Sequence, residues 1–196
     1  MAMQRAPEVT EAELARRLLA GDDGAFDSFV DHFQKRVFQY VYLMCGSRED
    51  AEEVAQETLL KVFQNLDQLR EPERVKPWVF RIAKNACLMK RRRSIFAPPR
   101  ELPLQDAAHE VVDRSPAPEE RILQSEMSAL VHRALAALPD LYRSVILLRE
   151  FEELSTAEAA EVLDVSEDVV KTRLHRGRLA LRHALDALLQ APAPVR

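Results

Sequence analysis

The sequence is poor in the residues on which several common kinds of site depend. Only two cysteines occur among its 196 residues, Cys45 and Cys87, so we expect both to be small buried residues and leave open a redox role for either. None of the four glycines lies between Gly46 and Gly177, which excludes the glycine-rich loops that cradle phosphates in nucleotide-binding proteins. No uncharged apolar run approaches membrane-spanning length, and the first residues lack the apolar core of a signal peptide. We therefore expect a cytoplasmic protein without a cofactor or bound metal.

Positive charge is concentrated in one stretch of a chain whose formal net charge is -4. Residues 74–100 hold nine Lys or Arg residues and no acid. The helical spacing of Trp78, Ile82, Ala86 and Met89 predicts a helix over 77–93 with these residues on its buried side. The opposite side carries three cations, one amide and a leucine: Arg81, Lys84, Asn85, Leu88 and Arg92. This face favours nucleic acid over an anionic membrane surface, because an amide can hydrogen-bond a base whereas a membrane requires only charge.

An acidic helix is predicted just before the basic one. Ser47 and Asp50 match an N-terminal capping pattern for a helix that continues to Phe63 or Leu66. Residues 49–57 hold five acids and no base. Acids in the first turn stabilise any helix, but Glu53, Gln56 and Glu57 lie beyond it. Together with the apolar Leu60 they favour contact with a basic protein partner.

Two earlier helices complete the predicted first half. Thr10 and Glu13 predict a capping box for a short helix, and a longer helix runs from about Asp23 to Cys45. The longer helix carries a wide apolar stripe that we expect to be core: Phe26, Phe29, Val30, Phe33, Val37, Val41 and Met44. Residues 65–76 are predicted to form a polar loop, because Pro72 interrupts any helix there.

The last third of the chain predicts a helix-turn-helix. Ser155 and Glu158 form a capping box, Asp164 lies in a tight turn, and Ser166 begins a final helix toward Leu188. Five Lys or Arg residues and no acid lie between 169 and 183. The spacing places Val170, Leu174, Gly177 and Leu181 inside, and the outward face is polar: Asp168, Lys171, Thr172, His175, Arg178 and Arg182. Such a helix is suited to the major groove of DNA.

These elements predict an all-α protein made of two small helical domains joined by a flexible proline-rich linker. The predicted boundaries are 10–93 for the first domain, 94–118 for the linker and 119–189 for the helix-turn-helix domain. The linker contains five prolines and little periodicity. We expect the residues after 189 to be disordered.

Three segments, in this order, resemble the extracytoplasmic-function (ECF) sigma factors of bacterial RNA polymerase, within the sigma-70 family. They are DAEEVAQETLLKVF (50–63), WVFRIAKNACLMKRRR (78–93) and the run from Leu138 to Arg182. The resemblance implies a transcription initiation factor, not an enzyme, that binds core polymerase at the beta-prime clamp helices and the beta flap. It also implies recognition of promoter −10 and −35 elements and control by an anti-sigma factor, which can hold the protein at the inner membrane face.

The resemblance also implies roles for individual residues. Those that would bind polymerase are Asp50, Glu53, Gln56, Glu57 and Leu60. Those that would hold the melted −10 strand are Arg74, Arg81, Lys84, Asn85, Arg91 and Arg92. Those that would read the −35 element are Lys171, Thr172, His175, Arg176, Arg178 and Arg182. Asp164 stands where the family usually has glycine, and we expect the turn to survive because aspartate tolerates a left-handed backbone.

Two other classes of function are weighed against this one. A stand-alone helix-turn-helix regulator would use its first hundred residues to sense a ligand, but the sequence shows neither a sensor motif nor an exposed heptad for dimerisation. A helical enzyme could use carboxylates such as Glu53 and Glu57, yet no histidine lies near them in sequence to complete a metal site.

Overall fold

The computed structural model describes residues 10–96 and 118–190, and the regular elements within these ranges are all helical. The predicted all-α class is confirmed. The first half contains α1 (Glu11–Leu19), α2 (Gly24–Cys45), α3 (Arg48–Gln64) and α4 (Val75–Phe96). The second half contains α5 (Pro118–Ala136), α6 (Asp140–Ile146), α7 (Thr156–Leu163) and α8 (Glu167–Gln190). None of the described helices combines the length and apolar character needed to cross a membrane.

Most of the predicted linker, and the tail after 190, lie outside the described residues. At the edges of the linker the chain is helical, since α4 continues to Phe96 and α5 begins at Pro118. The basic helix is therefore longer than predicted at both ends. It begins at Val75 instead of 77 and ends at Phe96 instead of 93.

Local side-chain caps explain where two of the helices begin. At α7 the Ser155 hydroxyl accepts a hydrogen bond from the Glu158 N–H (3.2 Å), and the Glu158 carboxylate accepts one from the Ser155 N–H (2.7 Å). At α1 the Thr10 hydroxyl accepts from the Glu13 N–H (3.2 Å), but the Glu13 carboxylate bonds to Arg16 (2.9 Å). The capping box is thus complete at α7. At α1 only one of its two hydrogen bonds forms, because the Glu13 carboxylate bonds to Arg16 instead.

The core of the first half lies between α2, α3 and α4. Apolar side chains from all three helices are buried there: Phe29, Phe33, Val37, Val41, Val54, Val62, Val79, Phe80 and Ala83. Two residues predicted to be core are not. Phe26 is 44% exposed and packs its ring on Phe63 (centroid distance 4.3 Å), and Met89 is 46% exposed because α4 buries a neighbouring row of side chains.

The segment between α3 and α4 is more ordered than a polar loop. It forms two short 3-10 turns, Leu66–Gln68 and Pro72–Arg74. Leu69, between them, is buried in the core. This apolar anchor fixes the approach of the chain to α4.

The helix-turn-helix is formed by α7 and α8, packed on α6. Asp164 adopts the predicted left-handed conformation (φ 56°) between the two helices. Helix α8 passes close to α6 at Gly177, where a Cβ would lie 3.1 Å from Ile146 Cδ1 and 3.3 Å from Tyr142 Cβ. The absence of a side chain at Gly177 therefore sets the distance between the two helices.

The two halves of the chain pack against each other. Helix α4 contacts α7, and α2 contacts α5 and α6. Arg143, on α6, is buried, and its guanidinium donates hydrogen bonds to the Leu135 carbonyl (2.8 Å) and the Leu138 carbonyl (2.9 Å). It also donates to the Met44 carbonyl at the end of α2 (3.1 Å), so one side chain links both halves.

The left-handed turn provides a test of the helix-turn-helix geometry. Asp164→Ala and Asp164→Gly both remove the carboxylate, but only alanine places a Cβ on a positive-φ residue. We expect the alanine variant to be less stable than the glycine variant by about 1 kcal/mol. Urea denaturation followed by circular dichroism measures this difference. Equal stability of the two variants would contradict the left-handed conformation.

Candidate functional site

The candidate protein-binding surface lies on α3. The Ser47 hydroxyl accepts a hydrogen bond from the Asp50 N–H (3.2 Å) and caps the helix as predicted, but the helix begins at Arg48 and not at the predicted Asp50. One side of α3 is buried, and the Thr58 hydroxyl on that side is satisfied by the Val54 carbonyl (2.7 Å). The acidic face lies on the other side and consists of Asp50, Glu53, Gln56, Glu57 and Leu60. Leu60 is 57% exposed, an apolar residue on the same face as three acids.

Lysines within the same half of the chain contact the acidic face. Lys90 Nζ lies 2.5 Å from Glu53 and 3.1 Å from Asp50, and the hydrogen bond to Glu53 raises the pKa of Lys90. Lys61 pairs with Glu57 (2.7 Å). The sequence does not indicate the first contact, because Lys90 lies in the basic stretch 74–100 whereas Asp50 and Glu53 lie on another helix. The acids that an enzyme would use are thus partly neutralised by lysines.

The candidate nucleic-acid surface lies on α4 and the turn before it. This basic face consists of Arg74, Arg81, Lys84, Asn85, Arg91 and Arg92. The Asn85 side chain is exposed among the cations, as the helical spacing predicts. Lys84 is half-buried; burial lowers its pKa and so does nearby Arg81, while Asp164 of the helix-turn-helix opposes them.

Three arginines of the basic face are paired with carboxylates of the second half. Arg74 and Arg81 both bond to Glu161 on α7, with an Arg81 Nη1–Glu161 Oε1 distance of 3.5 Å. Arg91 bonds to Asp140 at the start of α6. The second half thus contacts the basic face with two carboxylates, an arrangement that the predicted separation of the modules does not anticipate.

A more deeply buried ion-pair cluster holds α2 to the second half. Arg36 donates to Glu152 from Nη2 (2.8 Å) and Nε (3.0 Å), and it also bonds to Glu11. Glu152 is only 4% exposed; burial raises its pKa, and Arg36 opposes this shift. Burial also raises the pKa of Glu11, but hydrogen bonds from His32 and Arg36 outweigh burial and lower it. No local sequence signal indicates this cluster, because its members come from three distant segments.

The candidate duplex-reading surface lies on α8. Val170, Leu174 and Gly177 are buried, and Leu181, predicted to be buried, is half-buried. The reading face consists of six exposed residues: Lys171, Thr172, His175, Arg176, Arg178 and Arg182. Lys171 pairs with Asp168 (3.0 Å) and Arg178 with Glu150 (2.5 Å), both at solvent-exposed positions. Such pairs contribute little to stability and can exchange for phosphate contacts.

Two family models match the chain in order. Residues 29–94 match Sigma-70 region 2, and residues 128–181 match Sigma-70, region 4. The first match contains the acidic face and the basic face, and the second contains α7 and α8 as far as residue 181.

Relatives and solved structures agree with these matches. The ECF RNA polymerase sigma factor SigW of Bacillus subtilis (strain 168) is 33% identical over 177 residues, covering 87% of this chain and 94% of SigW. The fold is similar to that of CnrH in complex with the cytosolic domain of CnrY (TM-score 0.64, 24% identity, 90% of this chain and 97% of the other). It is equally similar to the sigma factor RpoE in complex with the anti-sigma factor NepR from Bartonella quintana (TM-score 0.64, 19% identity, 82% and 96% covered).

The buried ion pair gives a stability prediction. Arg36→Ala leaves the Glu152 carboxylate buried without its cationic partner, so we expect a loss of about 3 kcal/mol at pH 7. The loss should shrink as the pH falls through the raised pKa of Glu152, because protonation removes the buried charge. Chemical denaturation at several pH values measures both effects.

A surface pair provides the matched control. Arg48 bonds to Glu52 (2.7 Å) with both side chains 50% exposed, so Arg48→Ala should change stability by about 0.5 kcal/mol or less. Equal losses for Arg36→Ala and Arg48→Ala would contradict the role of the buried cluster.

Proposed function

Because the chain belongs to the ECF sigma factors of the sigma-70 family, we propose that it binds core RNA polymerase and directs it to promoters by recognising −10 and −35 elements. One observation carries this proposal. A single chain presents an acidic face, a basic face and a helix-turn-helix reading face, in the order of the two matched sigma-70 regions. The protein would act where polymerase and promoter DNA are, in the cytoplasm, and would itself catalyse no reaction.

The acidic face is the proposed polymerase contact, on the clamp helices of the beta-prime subunit. Its exposed Leu60 would be covered by the partner, while Asp50, Glu53 and Glu57 would pair with partner cations. In the structure Lys90 pairs with Glu53 and Lys61 pairs with Glu57. Docking would therefore exchange internal ion pairs for intermolecular ones. The beta flap is the proposed contact of the second half.

The basic face is the proposed site for the melted −10 strand. Arg74, Arg81, Lys84, Arg91 and Arg92 supply charge for phosphates, and the exposed Asn85 amide supplies hydrogen bonds for a base edge. The reading face of α8 is the proposed −35 site, where side chains from one exposed helical face reach base edges in the major groove. His175 lies at the centre of this face.

The ion pairs between the two halves imply that −10 binding must displace carboxylates from the basic face. Glu161 pairs with Arg74 and Arg81, and Asp140 pairs with Arg91, so phosphates must replace these carboxylates.

We also propose that an anti-sigma factor controls the chain. This rests on the family and on the fold shared with an RpoE that was solved with its anti-sigma factor NepR. A membrane-bound anti-sigma factor would hold the chain at the inner membrane face.

The primary experiment is co-elution of the purified chain with bacterial core RNA polymerase, followed by run-off transcription from the DNA upstream of its own coding region. Co-elution with specific transcripts supports the proposal. If the chain does not bind core polymerase in the absence of any inhibitor, the proposal fails. A stable dimer that binds duplex DNA without polymerase would instead favour a stand-alone regulator.

The acidic face can be tested separately from the reading face. We expect Glu53→Lys with Glu57→Lys to weaken core binding about 100-fold, since two attractive contacts become repulsive. Asp27→Lys with Asp31→Lys on the exposed side of α2 makes the same charge change and should leave core binding intact. Fluorescence anisotropy with labelled core polymerase measures the affinity.

A second pair of substitutions completes that test. Lys171→Ala with Arg178→Ala should spare core binding, weaken promoter binding and reduce its salt dependence by about two charges. Loss of core binding in this variant, or its retention in the Glu53/Glu57 variant, would refute the assignment of the two faces.

The contact of Glu161 with the basic face predicts a gain of DNA binding. Glu161→Gln should tighten binding of the full chain to a labelled non-template −10 oligonucleotide about threefold, because exposed ion pairs are worth up to about 1 kcal/mol. Asp186→Asn removes the same charge from an exposed position on α8 and is the control. Equal gains for both variants would show a general charge effect and contradict occlusion by Glu161.

A further inference from the structure

Lys90 lies on the inner side of α4, opposite Arg81 of the basic face. Val79, Ala83 and Ala86 on this inner side are buried in the core, and Lys90 follows them at the next helical position. Its side chain is 25% exposed, so much of its aliphatic stem is covered while its amino group reaches the first turns of α3. This lysine is therefore directed toward the acidic face and away from the basic face.

The amino group of Lys90 bridges two carboxylates of the acidic face. Its Nζ lies 2.5 Å from Glu53 Oε2 and 3.1 Å from Asp50 Oδ1. The hydrogen bond to Glu53 raises the pKa of Lys90, and the bond to Asp50 adds to this shift against desolvation, so the lysine is charged at neutral pH. Lys61 pairs with the third acid, Glu57 (2.7 Å). All three carboxylates of the acidic face thus have a lysine partner within the chain.

The two lysines differ in how easily another cation can replace them. Lys61 lies four residues after Glu57 on the same helix, where such a pair stabilises α3 itself, and its side chain is 40% exposed. Lys90 comes from another helix, contacts two acids at once and is less exposed. Because solvent and salt screen a less exposed charge more weakly, Lys90 is the harder of the two to displace.

We propose that Lys90 is an internal competitor for the cations of the polymerase partner and thereby sets the affinity of the acidic face. This inference rests on the proposed function of that face and adds a residue from α4 to those that determine the contact. Partner cations can pair with Asp50 and Glu53 only when the Lys90 amino group leaves them. The free energy of breaking the internal pairs is therefore subtracted from that of forming the new ones.

Competition by Lys90 has a salt dependence that a purely structural contact lacks. In the wild-type chain, docking exchanges one set of ion pairs for another, so added salt screens the free and the bound state alike. Without Lys90, docking forms ion pairs at carboxylates that had lost their lysine, so salt weakens mainly the bound state. Removing the Lys90 charge should therefore tighten docking at low salt and steepen its salt dependence.

Fluorescence anisotropy of the full chain with labelled core polymerase, from about 0.05 M to about 0.5 M salt, tests the proposal. Lys90→Met removes the charge and keeps an unbranched apolar stem, so we expect about fivefold tighter binding at low salt and no advantage at high salt. Lys90→Arg keeps the charge and should behave as the wild type. Lys35→Met, at an exposed position of α2, makes the same charge change and should alter neither quantity.

Weaker or unchanged core binding by Lys90→Met would overturn the proposal, because a lysine that only positions α3 gives no gain when it is removed. An equal gain for Lys35→Met would also overturn it by showing a general charge effect. Circular dichroism establishes that the variants are folded, and Lys90→Gln makes the same test if Lys90→Met is not.

A labelled octalysine peptide separates this proposal from the proposed function. If the wild-type chain does not bind core polymerase, the proposed function fails, but the competition can still be measured with this purely cationic probe. At low salt Lys90→Met should bind octalysine more tightly than Lys35→Met does, because only the first variant frees Asp50 and Glu53. Equal affinities of the two variants for octalysine would overturn the role of Lys90.

Discussion

Glu152 is almost fully buried between the two halves of the chain, and its ion pair with the Arg36 guanidinium offsets the cost of burying a charged carboxylate. An unpaired buried carboxylate would strongly destabilise the folded state, so the position of α2 is tied to Glu152, at the end of the short π-helix (Leu147–Phe151) that follows α6. Glu11 completes the cluster from α1. Through this cluster, helices that are distant in sequence are held in one arrangement, in which α4 also contacts α7.

In that arrangement, two kinds of partner compete for the arginines of α4. Its inner side belongs to the core, while Arg81 and Arg91 on its outer side meet carboxylates from the helix-turn-helix half. A guanidinium group cannot satisfy a carboxylate and a phosphate in the same place. Under the proposed −10 role of this face, the packed form and the DNA-bound form would use the same cations, so a partner that binds the packed form would oppose DNA binding.

Helix positions could be predicted from the sequence because they depend on neighbouring residues. The Ser155–Glu158 capping box is local, the helical period is local, and the left-handed turn at Asp164 depends on one residue's tolerance for positive φ. For the same reason the exposed face of α8 could be predicted residue by residue. Phe26 and Met89 were predicted wrongly as core, because an apolar stripe does not determine how far a neighbouring helix extends over it.

The sequence by itself determined the all-α class, the order of the acidic, basic and helix-turn-helix segments, and the family to which the chain belongs. Only the tertiary structure decided which charges meet: Glu161 with Arg81, Arg91 with Asp140, and Glu152 with Arg36. Such pairs join residues from separate helices. Their meeting depends on how helices rotate and pack around a shared core, which no local pattern of residues specifies.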